Sequence, residues 1–375
     1  LALGTNYGVT ALVHRFSGPG LARLARLPIN LIQADLLDEE SLSRAAENCH
    51  IIVHLAYGTA GDETMKRQVT VSGTENILKV ALEKKVHKVI HFSTAAVHGL
   101  NPNGPMVDES APFNPGREIY RSSKAQAEEL VWHYHKKHGL PIVVFRPPII
   151  YGPYGGYWTA RIVREIQTGA ILVNNGSGAA NLIYVDNLID AVILAMEKDA
   201  ADGEAFNIVD DDGLTWGQVY KAYAGLVDSH PPLRSLSVKE IEDMRKADAP
   251  NDLRSWFVKP FSLIPHFIKT SFRSPEMRRK MMEVPWLRFM KNHVPRQTLD
   301  QMKYGENSNR NVSTKINKQR VHPILPDNDL VDLYSSQCRF SNHKIKNVLG
   351  YEQRVTFNEA LKLIGSWLRY QRSIP

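Results

Sequence analysis

Short apolar runs alternate with longer segments of helical period through residues 1–230. That alternation predicts a mostly parallel sheet with helices on both faces. The runs at 9–13 (VTALV), 29–33, 51–55 (IIVHL), 88–93 (KVIHFS) and 142–146 (IVVFR) read as buried strands. Residues 39–47 and 65–84 read as helices between them. Asn114 and Pro115 form an N-cap and first-turn pair that opens a helix to about His138, where Gly139-Leu140-Pro141 stops it. After Tyr151 come helices near 158–168, 187–198 and 214–227. Residues 229–331 are less regular and broken by prolines, and 344–372 returns to compact helical patterning. The pattern divides the chain into an α/β portion at 1–153 and a smaller, mostly helical lobe at 154–375. The lobe carries an insertion at about 229–331, and segments around 181–210 return to the sheet.

Composition sharpens this picture at three points. The 43% hydrophobic and 23% charged content is that of an ordinary globular enzyme, and no run of 18 apolar residues predicts a membrane span. Cys49 and Cys338 alone give no disulfide framework, which predicts a reducing, cytoplasmic setting. The net charge of +7 is concentrated in residues 253–304, whose eleven Lys or Arg against three Asp or Glu sum locally to +8. Aromatic residues from Trp256 to Phe289 are interleaved there. Such a segment suits peripheral contact with an anionic membrane, a pocket for a phosphorylated substrate, or a solvated lid. No helix-turn-helix, RNA-binding or zinc pattern accompanies the charge, so no nucleic-acid partner is expected. The Asn311 sequon carries no weight in a cytosolic protein. The histidines of the stretch 133–138 read as a solvated helix face, and no metal site is expected.

The candidate chemistry sits on two segments. Tyr120 and Lys124 are four residues apart, so their side chains share one helical face. A phenol is a poor proton donor or acceptor at neutral pH, and an adjacent ammonium favours phenolate and lowers its pKa. Thr94 follows the strand at 88–93, at the carboxyl edge where open α/β sheets bind ligands, and supplies a hydroxyl for a substrate oxygen.

Several further motifs stand in order around these residues: Ala34-Asp35-Leu36-Leu37-Asp38, His54-Leu55-Ala56-Tyr57-Gly58, Gly73-Thr74-Glu75-Asn76, Arg146-Pro147-Pro148-Ile149-Ile150-Tyr151-Gly152-Pro153, Tyr184-Val185-Asp186-Asn187 and the stretch 340–351. Together they resemble the extended short-chain dehydrogenase/reductase family, which includes the NAD-dependent epimerases and dehydratases, with features of its 3β-hydroxysteroid dehydrogenase branch. The resemblance implies a Rossmann-type doubly wound parallel sheet with a C-terminal substrate lobe. It implies that Thr94 hydrogen-bonds the substrate oxygen, Tyr120 transfers its proton, and Lys124 holds the nicotinamide ribose. It places Asp35 and Leu36 at the adenine, Leu55, Ala56 and Tyr57 along the ribose, and Thr70 and Phe145 by the nicotinamide. Arg146, Tyr157 and Asn181 then fall toward the substrate. A homodimer through the helices at 65–84 and 115–138 is a family tendency.

Departures from the family pattern set the finer expectations. The first strand and its glycine-rich loop are not in the sequence, so residues 1–375 by themselves are expected to bind dinucleotide poorly. Position 70 is Thr where the family has Asn. His14-Arg15 ends the first strand read here, and an Arg at that place suits a ribose 2′-phosphate, which favours NADP over NAD. Ala95 and Ala96 replace the Asp-Glu pair of the family's dehydratases, so sugar dehydration is not expected. Ala180-Asn181-Leu182 lacks the Arg that meets a sugar-nucleotide diphosphate, which keeps a less polar, sterol-like alcohol or ketone open beside a sugar nucleotide. The reading is an NAD(P)-dependent oxidoreductase or epimerase acting on a small molecule by hydride transfer. The alternative is a non-catalytic dinucleotide-binding regulatory or scaffold protein.

Overall fold

A computed structural model describes residues 7–17, 19–100, 102, 104–228, 230–248 and 325–371. The basic segment 253–304 and Asn311 lie outside the described residues. Two compact units divide the chain: one holds 1–239 and 322–375, the other 240–321. Of the second unit, only residues 240–248 are described, and they belong to a helix that begins at Val238.

In the first unit, β1 (Thr10–Val13), α1 (Pro19–Leu24), β2 (Asn30–Gln33), α2 (Glu39–Ala45), β3 (Ile51–His54), α3 (Glu63–Glu83), β4 (Lys88–Phe92), β5 (Met106–Val107), α4 (Ile119–His138) and β6 (Ile142–Arg146) follow in order. Then come β7 (Ile149–Tyr151), α5 (Arg161–Thr168), β8 (Ile171–Val173), β9 (Leu182–Tyr184), α6 (Val185–Glu197), β10 (Glu204–Asn207), α7 (Trp216–Ala224) and β11 (Arg234–Leu236), and α8 (Val238–Asp248) is the helix that holds the described residues of the second unit. The C-terminal stretch adds α9 (Asn328–Ser335), β12 (Arg339–Phe340), α10 (His343–Leu349) and α11 (Phe357–Tyr370).

The central sheet runs β10-β6-β4-β3, all parallel, and β1 and β2 form a separate parallel pair. Strand alternation assigns its faces. Val89, Ile142 and Val144 pack against Leu78 and Ala81 of α3 and Val131 of α4. Their neighbours Ile90, Val143 and Phe145 pack against Leu188, Ala191 and Val192 of α6 and Ile345 and Leu349 of α10. Helices therefore cover both faces, the doubly wound arrangement expected. Every residue of β4 and β6 is buried, including the polar Lys88, His91 and Arg146.

The Gly-Thr-x-Asn motif explains how β2 and α2 are held to this core. A Cβ on Gly73 would stand 2.8 Å from Leu36 Cβ, so only glycine lets α3 approach the turn after β2. Asn76 Nδ2 then donates to the Leu36 carbonyl at 2.9 Å. Gly152 plays a matching part between β7 and β9. Its φ is +147°, and a Cβ there would meet Val185 Cγ1 at 2.8 Å.

One helix boundary differs from expectation. α4 begins at Ile119, and the Glu118 carboxylate caps it by accepting from the Tyr120 and Arg121 amides, each at 2.9 Å. Asn114 instead donates its backbone N–H to Val97 O at 2.7 Å, and Gly116 follows at φ +68°. The left-handed glycine keeps residues 114–118 out of the helix.

Candidate active site

The carboxyl edge of β4 and the first turn of α4 build the site. Thr94 lies just past β4, nearly buried, and its Oγ1 accepts from the Ala96 amide at 3.3 Å. The same hydroxyl lies near enough to the Tyr120 phenol to draw its pKa down. Lys124, one turn further along α4, is 2% exposed and donates from Nζ to the Phe92 carbonyl at 2.7 Å. Tyr57 completes the group. Its ring lies edge-on to Tyr120 at 5.0 Å between centroids and 5.5 Å from Lys124 Nζ.

Burial dominates the electrostatics here. It pushes the Tyr120 phenol above its usual pKa; the Thr94 hydroxyl pulls the other way, and Tyr57 and Glu118 add to the rise. The Lys124 ammonium is turned to Phe92 O. Lys124 is itself lowered to about 8 by burial, against the opposing pull of Glu128. Beneath it, His54 and His91 face each other from paired positions of β3 and β4, with ring centroids 5.5 Å apart. His54 Nε2 hydrogen-bonds Thr74 Oγ1 at 3.0 Å. Burial, then the Lys124 charge, lowers His54 to about 3 and holds His91 well below its normal range. Both rings are neutral at physiological pH.

The donor set fits a nicotinamide ribose. A buried ammonium carries three N–H donors, and Ser93 Oγ beside Thr94 is a buried hydroxyl without a partner. Leu55 and Tyr57 are exposed apolar side chains at the rim of the same strand ends, with Ala56 exposed between them. Asp35 and Arg15 lie at the far end, on the β1–β2 pair. Asp35 Oδ1 accepts from the Leu37 amide at 2.9 Å, and Oδ2 stands 3.3 Å from His14 Nε2. Arg15 is exposed after β1.

Four expected site residues are held in protein contacts instead. Arg146 is buried in a bidentate pair with Glu128, with Nη2 to Oε1 at 2.6 Å and Nε to Oε1 and Oε2 at 3.0 and 3.2 Å. Its Nη1 donates to Glu109 O at 3.0 Å, so the guanidinium is committed away from any substrate. The Phe145 ring is fully buried between Phe92 and Phe206, because alternation in β6 points it into the α6 face. Asn181 uses both ends of its amide on backbone, donating to Cys338 O at 2.9 Å and accepting from Phe340 N at 3.1 Å. Thr70 accepts from the Gly58 amide at 3.0 Å and donates to Lys66 O at 2.8 Å, which pins the Tyr57 loop to α3. Tyr157 remains half exposed on the lobe beneath the Arg161 guanidinium, 4.2 Å from its ring centroid. Glu128 is the residue the sequence reading passed over. Its signal was its spacing, four residues beyond Lys124 on the same helical face.

With this geometry in hand, the comparisons are decisive about family. The NAD dependent epimerase/dehydratase family model matches residues 1–209, more than half of the sequence. The chain belongs to that family. It is 28% identical over 191 residues to the N-acetyl-α-D-glucosaminyl-diphospho-ditrans,octacis-undecaprenol 4-epimerase of Escherichia coli O157:H7, covering 49% of this chain and 57% of that protein. It is 25% identical over 182 residues to a 3β-hydroxysteroid-dehydrogenase/decarboxylase of Arabidopsis thaliana, covering 47% and 42%. The chain spans about half the length of the curated relatives it matches. Its fold is shared with the UDP-glucose 4-epimerase of Thermotoga maritima, solved with UDP-glucose, at a TM-score of 0.64, 19% identity, and coverage of 98% and 92%. Among the described residues of this epimerase/dehydratase family member, no cluster of His, Cys, Asp and Glu could hold a metal ion, and no helix is long and apolar enough to cross a membrane.

Proposed function

We propose that the protein is an NAD(P)-dependent oxidoreductase or epimerase that acts at a secondary alcohol or ketone of a small molecule. The observation that carries this reading is the placing of the Thr94 hydroxyl near the Tyr120 phenol, with Lys124 one helical turn on. When bound, the nicotinamide would accept a hydride from the carbinol carbon, or return one. Lys124 would hold its ribose hydroxyls. Thr94 would hydrogen-bond the substrate oxygen, and Tyr120 would remove or return the proton on that oxygen at its phenolic Oη. Ala95 and Ala96 offer no acid or base beside Thr94, so elimination of water from the substrate is not part of the reaction. A sugar nucleotide and a sterol-like alcohol are the two substrate classes in view. A relative named for dTDP-D-glucose and one named for a hydroxysteroid support them respectively.

The test is hydride exchange between NAD or NADP and a panel of sugar nucleotides and sterols, using the natural protein. Tyr120→Phe should reduce turnover about 10²–10⁴-fold, with Thr94→Val also strongly impaired. Full turnover in Tyr120→Phe would refute the assignment. A folded protein that binds dinucleotide but turns over neither substrate class would favour the non-catalytic alternative.

A further inference from the structure

Tyr120 is the second residue of α4. Helical side chains lean back toward the N-terminus and rest on the turn before them. A residue at that place has no preceding turn, so its side chain overhangs the helix end. Support for the Tyr120 ring has to come from another element.

Tyr57, on the loop after β3, supplies it. Its ring stands edge-on to the Tyr120 ring, with centroids 5.0 Å apart and an interplanar angle of 62°. Such a contact sets the positive rim of one ring against the negative face of the other, which fixes direction as well as distance. Lys124 Nζ lies over the Tyr57 ring, 5.5 Å from its centroid, and holds it through a second, cation–π contact. The loop itself is seated hard on α3. The Gly58 N–H donates to Thr70 Oγ1 at 3.0 Å, and that hydroxyl donates to Lys66 O at 2.8 Å. A Cβ on Gly58 would collide with the Lys66 carbonyl, so the chain just past Tyr57 lies flush against the helix. Tyr57 nevertheless keeps 42% of its surface exposed, so its ring is not there to fill the core.

We infer that Tyr57 is a positioning residue for Tyr120: its ring, fixed by the α3 seat and by Lys124, buttresses the phenol at the open end of α4. The inference rests on the role of Tyr120 proposed above and adds a residue that acts through it.

Two readouts on the natural protein test the buttress, and only one needs turnover. With ¹³C-labelled tyrosine, the Tyr120 ring signal is assigned by its loss in Tyr120→Phe, and its relaxation gives the order of the side chain. Tyr57→Leu keeps apolar bulk and loses the ring. It should leave the Tyr120 ring more mobile while the backbone of α4 stays ordered. Tyr57→Phe keeps both ring contacts and should restore the order of Tyr120. In hydride exchange, Tyr57→Leu should lower kcat about 10- to 100-fold, the cost of a slightly misplaced reacting group. The KM for dinucleotide should hold, and Tyr57→Phe should recover most of the kcat. Tyr57→Ala serves in the same two measurements if the leucine variant does not fold. Unaltered order of the Tyr120 ring in the folded variant overturns the inference. So does a raised dinucleotide KM with kcat intact, which would make Tyr57 a cofactor contact alone. Failure of the proposed function is separable: it would appear as full turnover in Tyr120→Phe, while the relaxation of the Tyr120 ring reads the buttress with neither substrate nor cofactor present.

Discussion

Two buried ionisable groups carry opposite lessons about burial. For Lys124, burial disfavours the charged form and lowers the pKa from 10.5 to about 8. A ribose-binding ammonium must be protonated, so dinucleotide-dependent turnover should fall as pH rises through about 8. A pH–rate profile checks this, and an alkaline limb held near 10 would contradict it. For Asp210, burial raises the pKa from 3.8 to about 7, although the Asn187 amide at 2.8 Å, the Tyr184 N–H at 2.8 Å and the Tyr151 hydroxyl at 3.4 Å all donate to it. The folded state therefore binds more protons than the unfolded state between about pH 4 and 7, and this carboxyl costs stability as pH rises through that window. Chemical denaturation of Asp210→Asn alongside the parent should show the variant gaining relative stability from pH 4 to pH 8. A pH-independent difference would mean Asp210 ionises normally in the fold.

Among the elements, α4 shows both what patterning can disclose and where it stops. Its start depends on Glu118, whose carboxylate accepts two first-turn amides. Glu118→Ala should cost about 0.5–2 kcal/mol by denaturant unfolding, and it should also lower the Tyr120 pKa, because a negative charge that raises it is removed. A spectrophotometric titration of the phenol reads the second effect separately from the first. At α3, Gly73→Val should cost about 1–3 kcal/mol through overpacking against Leu36, and a neutral effect would argue that the turn after β2 can yield. The strands, the helix stripe of Tyr120 and Lys124, and Thr94 beyond β4 were legible in the sequence because they depend on local period and order along the chain. The Glu118 cap was not, because Asn114-Pro115 is the stronger local signal and only the left-handed Gly116 displaces it. The contacts of Phe145 and Arg146 were not legible for a related reason. Position along a strand says that both lie near the site, but the face each side chain takes is set by packing partners, Phe206 and Glu128, that sequence order does not reveal.

At the scale of the whole molecule, three asparagine amides help to fasten the C-terminal stretch to the strand ends, beside the core packing of Ile345, Leu349 and Tyr351. Asn181 holds Cys338 and Phe340, Asn187 exchanges two hydrogen bonds with Val355, and Asn342 donates to Val209 O and Asp211 Oδ1. β12 then pairs with β5 just beyond the Thr94 turn, and Ser341 N–H reaches Val107 O at 2.9 Å. The His98 ring lies between Phe113 and Phe340, at 5.6 and 6.2 Å, so the latch leans on the segment that follows Thr94. The Asn181 amide spends one N–H and its oxygen on backbone, which gives it a structural role in this latch. Asn181→Ala should therefore lower stability by about 1–3 kcal/mol, the cost of leaving two backbone groups unpaired. Hydrogen exchange at the Phe340 amide should quicken while amides of β4 and β6 stay protected. Because the loss is in the latch and not in a substrate contact, KM should stay at the parent value as long as the protein is folded. A raised KM with unchanged exchange at Phe340 would return Asn181 to the substrate site.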